Sequence, residues 1–331
     1  MQKLPVVDFH CDLLSYLSNV QNLPALSYDA LEQTDDIGCS LPALESGKVK
    51  VQTCAIFTAP GENSVINAFR QAKILFELYQ RDFPFKKWKG KMRKKNITLI
   101  PAIEGASGLC LEEGDAEVQT EMNLLAMSSW IGKPLYVSMT HHGENRFGGG
   151  NKAQEVGLKE DGEILLDLLD KHGIAVDLSH TSYKLADDII EYKEKKGLKL
   201  KVIASHSNFR EVYEHDRNLT DEHAKYVIHN DGIIGITYLR DYMNQEEPDY
   251  YLEHIEHGIK LGGENHIVQG ADYFYWVDYE PERHPMFFPE QVDSSKFPKI
   301  SKKIATQFGA SFAERYSYKT GLKYLLDNYK G

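Results

Sequence analysis

Eight short apolar segments, each followed by a helical stretch or a long loop, predict a single (β/α)8 barrel. Most of those segments end on His, Glu or Asp, which is where a barrel keeps its chemistry. The rival fold, a doubly wound open sheet, calls for a Gly-rich turn after the first strand, and the chain has His10-Cys11-Asp12 there.

The first segment is Leu4 to Phe9, closed by His10 and Asp12. Strand alternation puts these two side chains on one face and Cys11 on the other. After a long connection with Pro24 and Pro42, Val49 to Phe57 is the second strand. A helix follows from Asn63 to Asp82, with apolar residues at Val65, Ile66, Phe69, Ile74, Leu75 and Leu78. Lys86 to Lys95, around Trp88, reads as a solvated turn. Thr98 to Glu104 is the third strand, Ala116 to Trp130 a helix, and Leu135 to His141 the fourth strand. The loop Gly143 to Gly150 lacks the Gly-Lys-Ser/Thr of a phosphate loop and reads as a mobile loop on the substrate side.

Asp161 to His172 is a helix stopped by Gly173. Ile174 to Ser179 is the fifth strand, followed by His180 and a helix from Tyr183 to Lys196. Lys201 to Ser205 is the sixth, followed by His206. Thr220 caps a short helix from Asp221 to Asn230. Gly232 to Tyr238 is the seventh strand, Asp249 to Leu261 a helix, and Ile267 to Ala271 the eighth strand, followed by Asp272. Residues 273–298 read as an irregular loop over the mouth and 299–331 as terminal helices, so 1–331 form one domain.

The chain has 331 residues and a net charge of −11, which argues against general affinity for nucleic acid or anionic membranes. Four cysteines without CxxC spacing suggest a reduced compartment. No signal peptide, apolar span or lipid-anchor tail is seen, so a cytoplasmic enzyme is expected. Tyr250, Tyr251, Trp276, Phe287 and Phe288 are expected to be exposed, as a lid or as the interface of a homodimer.

In a barrel, His10, Asp12, Glu104, His141, His180, His206 and Asp272 all meet at one mouth. His-x-Asp alone is a weak metal signal, and it is the joint arrangement that carries weight. The segments Asp8-Phe9-His10-Cys11-Asp12, Glu104-Gly105, Thr140-His141, Val176-Asp177-Leu178-Ser179-His180, Ser205-His206-Ser207 with Arg217-Asn218, and Gly270-Ala271-Asp272 resemble, in order and spacing, the renal (membrane) dipeptidase family of zinc metallopeptidases.

The resemblance implies that His10 and Asp12 hold one zinc, His180 and His206 hold a second, and Glu104 bridges the two. Paired ions ~3.5–4 Å apart lower the pKa of a shared water towards ~7. It also implies that Asp272 carries the proton, that His141 donates to the carbonyl oxygen, and that Arg217 grips the free carboxylate of a dipeptide, one with a D-residue at that end included. His142, Asn145 and Arg146 are weaker candidates for the pocket, Tyr238 is either pocket or packing, and Asn208 and Asn218 orient neighbours. The family's Asp-Phe-Asp-Gly run is here Asp272-Tyr273-Phe274-Tyr275, which puts aromatics, with Trp276, at the mouth. Two other functions stay open: a barrel hydrolase acting on N-acyl amino acids or lactones, and a metal-retaining binding protein without turnover.

Overall fold

Strands that are apolar on both faces can be hidden only if the sheet is covered outside and filled inside. The computed structural model, which describes residues 3–20, 37–80, 84–277 and 279–331, meets both conditions. Its strands are β1 (Val6–Asp8), β2 (Val49–Phe57), β3 (Phe85–Lys87), β4 (Ile97–Glu104), β5 (Tyr136–Ser138), β6 (Ala175–Asp177), β7 (Val202–Ile203), β8 (Ile234–Ile236) and β9 (Ile267–Gln269). All pair in parallel, in the order β7-β6-β5-β4-β2-β1-β9-β8. A bridge between Ala204 and Ile234 joins the two ends, and the Ala204 N–H reaches the Ile233 carbonyl at 2.9 Å. The result is an eight-stranded (β/α)8 barrel, with β3 added beside the lower half of β4.

Closure depends on two missing side chains. A Cβ on Gly235 would meet the Ser205 carbonyl oxygen at 1.9 Å, and one on Gly270 would meet it at 2.1 Å. The backbone leading into His206 therefore packs directly against β8 and β9.

The helices form the outer layer. Thr220 caps its helix as expected, accepting the His223 N–H, and Asp115 and Ser182 likewise accept the N–H groups of Val118 and Leu185. Gly173 and Gly197 end their helices in the left-handed region. The last helix, Thr320–Asn328, plugs the lower end of the barrel. Its Tyr324 and Leu325 join Val7, Phe9, Val51, Ile100, Tyr136 and Val268 in one buried cluster. With that end filled, the strand C-termini form the open end. Among the described residues no helix is long and apolar enough to cross a membrane.

Three expectations are corrected. The basic stretch is not all solvated turn: Phe85–Lys87 is strand β3, and buried Trp88 donates its indole N–H to the Tyr329 carbonyl. The 143–150 loop is pinned rather than loose: Asn145 accepts the Phe147 and Gly148 N–H groups and donates to the Met139 carbonyl, and Gly150 bridges Thr181. The five aromatics are not an exposed patch: Tyr251 and Phe287 are buried, and Tyr250, Trp276 and Phe288 pack against the core.

Asp8, one alternation below His10, fastens β1 to its neighbours. Its carboxylate accepts the Ala271 N–H at 2.9 Å and the Gln52 amide at 3.1 Å. Burial pushes its pKa from 3.8 to about 7. The folded chain thus holds this proton more tightly than the unfolded chain. The contribution is complete below pH 3.8 and is lost as pH rises through about 7. In Asp8→Asn the acceptor for Ala271 remains, and a flipped Gln52 amide offers its otherwise unpartnered Oε1 to the new NH2 group. Denaturant unfolding at several pH values should show wild-type stability falling, by up to ~4 kcal/mol, across a range where Asp8→Asn is flatter. Parallel pH curves for the two proteins would refute this.

Candidate active site

The residues singled out at the strand ends converge in the mouth. His10 Nε2 lies 3.7 Å from Asp12 Oδ2, 3.5 Å from Glu104 Oε2 and 3.8 Å from Asp272 Oδ1. The other Glu104 oxygen, Oε1, lies 2.9 Å from His180 Nε2 and 3.3 Å from His206 Nε2. Glu104 therefore faces two ligand sets, one through each oxygen. All six side chains are buried.

Hydrogen bonds fix which nitrogen of each imidazole carries the proton. The Tyr136 hydroxyl donates to the Phe9 carbonyl at 3.0 Å, so its oxygen accepts His10 Nδ1–H at 2.8 Å. Ser205 Oγ donates to Asp177 Oδ2 at 2.6 Å and accepts His206 Nδ1–H at 2.7 Å. Asn151 Oδ1 faces His180 Nδ1 at 3.4 Å. Each Nε2 is thereby left with a lone pair.

His180 Nε2 and His206 Nε2 are 3.1 Å apart. Two lone pairs at that distance repel unless a cation lies between them. Donors ~2.0–2.1 Å from a tetrahedral ion are separated by about 3.3 Å, and the distances around Glu104 scatter about that value. Buried His10 Nε2 and Asp12 Oδ1 also have no hydrogen-bond partner among the described residues. The donor set therefore fits divalent metal ions, with His10, Asp12 and Glu104 in one group and Glu104, His180 and His206 in the other.

The electrostatics agree. Burial pushes Glu104 up and Asp272 to about 8, since little positive charge balances them. Burial opposes charge on His10, but Tyr136, Glu104 and Asp12 outweigh it and hold its pKa well above the usual value: the acidic pocket draws a positive charge to Nε2, and a metal ion there would take the place of the proton and use the lone pair. Burial drives His141, His180 and His206 well below theirs, assisted by the neighbouring histidines and Arg217. His180 and Asp272 occupy the left-handed region at φ 70° and 64°, unusual for non-glycine residues.

A cavity of about 230 Å3 opens over these groups. His141, His142, His180, Asp12, Glu104 and Asp272 line it, as the sequence suggested. Its aromatic wall was only partly foreseen. Phe274 and Tyr275 line it, joined by Tyr16, Phe57, Tyr242 and Tyr279. Tyr273 instead points into the core and donates to the Gln291 carbonyl at 2.7 Å. Tyr238 is packing, buried and bonded to Tyr316 at 2.9 Å. Arg146 turns away to pair with Asp161. Asn208 and Asn218 both donate to the Tyr242 carbonyl, tying the His206–Arg217 loop to the next strand end.

Arg217 is buried, with its guanidinium 5.6 Å from the ring of the cavity-lining Tyr242, and donates to the His206 carbonyl and Ser207 Oγ, each at 2.8 Å. Its Nε has no hydrogen-bond partner among the described residues. Sequence reasoning gave no role to Asp8, Asp177 and Ser205, which brace the strand ends from below, and missed Tyr136 behind His10 and Arg283 at the rim. The alternation used for His10 and Asp12 would have found Asp8.

The family model for membrane dipeptidase, peptidase family M19, matches residues 1–311. The chain belongs to the membrane dipeptidase family. This is a family of metallopeptidases, in keeping with the donor geometry. An uncharacterised dipeptidase of Schizosaccharomyces pombe is 27% identical over 211 residues, covering 60% of this chain and 47% of that protein. Dipeptidase verJ of Clonostachys rogersoniana is 30% identical over 144 residues, covering 42% and 36%. The chain thus spans less than half the length of these relatives. Among solved structures, an M19 metallopeptidase, dipeptidase AC, superposes with TM-score 0.82 at 18% identity over 100% of both chains. A metallopeptidase from Rhodobacter sphaeroides, liganded with a phosphinate mimic of L-Ala-D-Ala, superposes with TM-score 0.79 at 18% identity over 99% of both.

If Tyr136 fixes His10, Tyr136→Phe should retain the fold but weaken metal retention by roughly 10–100-fold, the usual cost of losing a ligand's outer partner. Competition against a graded chelator, read by metal analysis, measures this. Affinity equal to wild type would show that the Tyr136 hydroxyl is not needed.

Proposed function

We propose that this protein is a dinuclear zinc dipeptidase acting on dipeptides with a free C-terminal carboxylate, C-terminal D-residues included. The observation that carries this reading is Glu104, whose two oxygens face two separate sets of metal donors. One zinc would be held by His10, Asp12 and Glu104, the other by Glu104, His180 and His206. Bound there, the zinc pair would supply Lewis-acid polarisation and lower the pKa of the attacking water.

The chain's own groups account for the remaining steps. Asp272 stands at the mouth with Oδ1 3.8 Å from His10 Nε2 and Oδ2 3.5 Å from Thr237 Oγ1. It takes the proton of the attacking water and passes it to the leaving amine. His141 is kept neutral by burial, so it donates a hydrogen bond to the carbonyl oxygen as charge develops there. Arg217 presents the remaining guanidinium N–H groups to the substrate carboxylate. The cavity of about 230 Å3 over these groups is of a size for a small substrate such as a dipeptide. The L-Ala-D-Ala mimic in the Rhodobacter sphaeroides structure supports including D-residues. On this reading residues 1–331 work as one catalytic unit.

The test is hydrolysis of a panel of L-L, L-D and D-D dipeptides, with metal content measured on the same sample. Turnover with about two zinc per chain is expected, lost on chelation and restored by zinc. Asp272→Asn should lower kcat by roughly 10²–10⁴-fold, and loss of the His141 donor should cost ~2.7–4 kcal/mol in the barrier. Two metals per chain with hydrolysis of N-acyl amino acids or lactones alone would redirect the assignment. Folded protein that takes up no zinc would end it.

A further inference from the structure

A second cavity, about 360 Å3, adjoins the first and shares His142, Tyr242 and Arg283 with it. Its other lining residues are Asn151, Lys152, His215, Asp241 and Glu280. Two cations, Arg283 and Lys152, line it, and both are distinct from the Arg217 invoked above. Arg283 uses one edge: its Nε and one terminal nitrogen both reach Asp241 Oδ2, at 3.2 and 2.8 Å. The ring of Tyr279 lies 5.0 Å below the guanidinium and holds it flat. The opposite edge makes no hydrogen bond among the described residues. Lys152 has an exposed ammonium with no ion pair among the described residues. Two acids share the lining, but Asp241 is occupied by Arg283 and Glu280 is exposed at the rim.

A dipeptide's backbone carboxylate needs only one cationic partner. Resting on the dipeptidase reading above, we infer that Arg283 and Lys152 form a side-chain subsite selecting dipeptides in which one residue is Asp or Glu. The planar guanidinium edge matches a carboxylate, and Lys152 adds a point charge at the open end. An amide isostere in the same place leaves these donors without their charged acceptor. The acid is therefore preferred over the amide.

The test compares kcat/KM for pairs that differ only in charge, Glu against Gln and Asp against Asn, at each position of an otherwise alanyl dipeptide. The zinc-loaded wild-type protein should prefer the acid at one position by roughly tenfold or more, the scale of one charge-assisted hydrogen bond. That ratio should fall towards one in Arg283→Gln and be reduced in Lys152→Gln. Lys152 is on the surface, so its variant tests the idea even if the Arg283 variant folds poorly. If Arg283 merely strapped the loop to Asp241, its loss would slow acid and amide alike and leave the ratio intact. A wild-type ratio near one, or a ratio that survives both substitutions, would overturn the subsite while leaving the dipeptidase reading standing. Failure to hydrolyse any dipeptide would overturn both.

Discussion

Everything at the mouth depends on three imidazole lone pairs aimed at one buried carboxylate. Tyr136, Ser205 and Asn151 hold the Nδ1 side of His10, His206 and His180, so each Nε2 must face Glu104. A buried acid and a cluster of unprotonated nitrogens are each costly without a partner. Together they form a set of donors spaced for a cation. The chain carries this arrangement because the barrel around it is over-determined: the lower end is plugged by the C-terminal helix, and the rim is closed between β7 and β8.

The cost of that arrangement is visible in the backbone as well. His180 and Asp272 adopt left-handed conformations where β6 and β9 give way to loops. Such positions cost on the order of 1–3 kcal/mol each and persist only where surrounding structure enforces them. Here the enforcement is local. The Asp177 carboxylate accepts the Ser179 and Ser205 N–H groups and the Ser138 and Ser205 hydroxyls, locking three adjacent strand ends together beneath the histidines.

The barrel and the ligand set were legible in the sequence because they rest on periodicity. Alternation places His10 with Asp12, and the eight apolar runs give the strand count. The outer partners were less legible. Tyr136 lies 126 residues from His10, and nothing local in the sequence marks that pairing. Strand β3 escaped because its lysines read as solvated, whereas its backbone pairing with β4 is indifferent to side-chain charge. The rim aromatics were misjudged because their neighbours in the fold are remote in sequence: Tyr273 stacks on Phe297 and Tyr251 packs edge-on against Tyr238. Arg283 could not be singled out, since only the fold of the irregular segment brings it beside Asp241 and Tyr279.

Tyr273 gives the mouth an independence that the barrel lacks. Its ring is sunk among Phe287 and Phe297, its hydroxyl holds the Gln291 carbonyl, and its own carbonyl accepts the Asp12 N–H. One residue thus moors both ends of the segment that follows, and it does so immediately beside the ligand-bearing loop. Further along that segment, buried Met286 and Phe287 anchor it a second time. Where Phe274, Tyr275, Tyr279 and Arg283 reach the cavity, a change of side chain alters which molecules it admits, while the donors below stay in register. Specificity in this barrel is therefore free to diversify faster than chemistry.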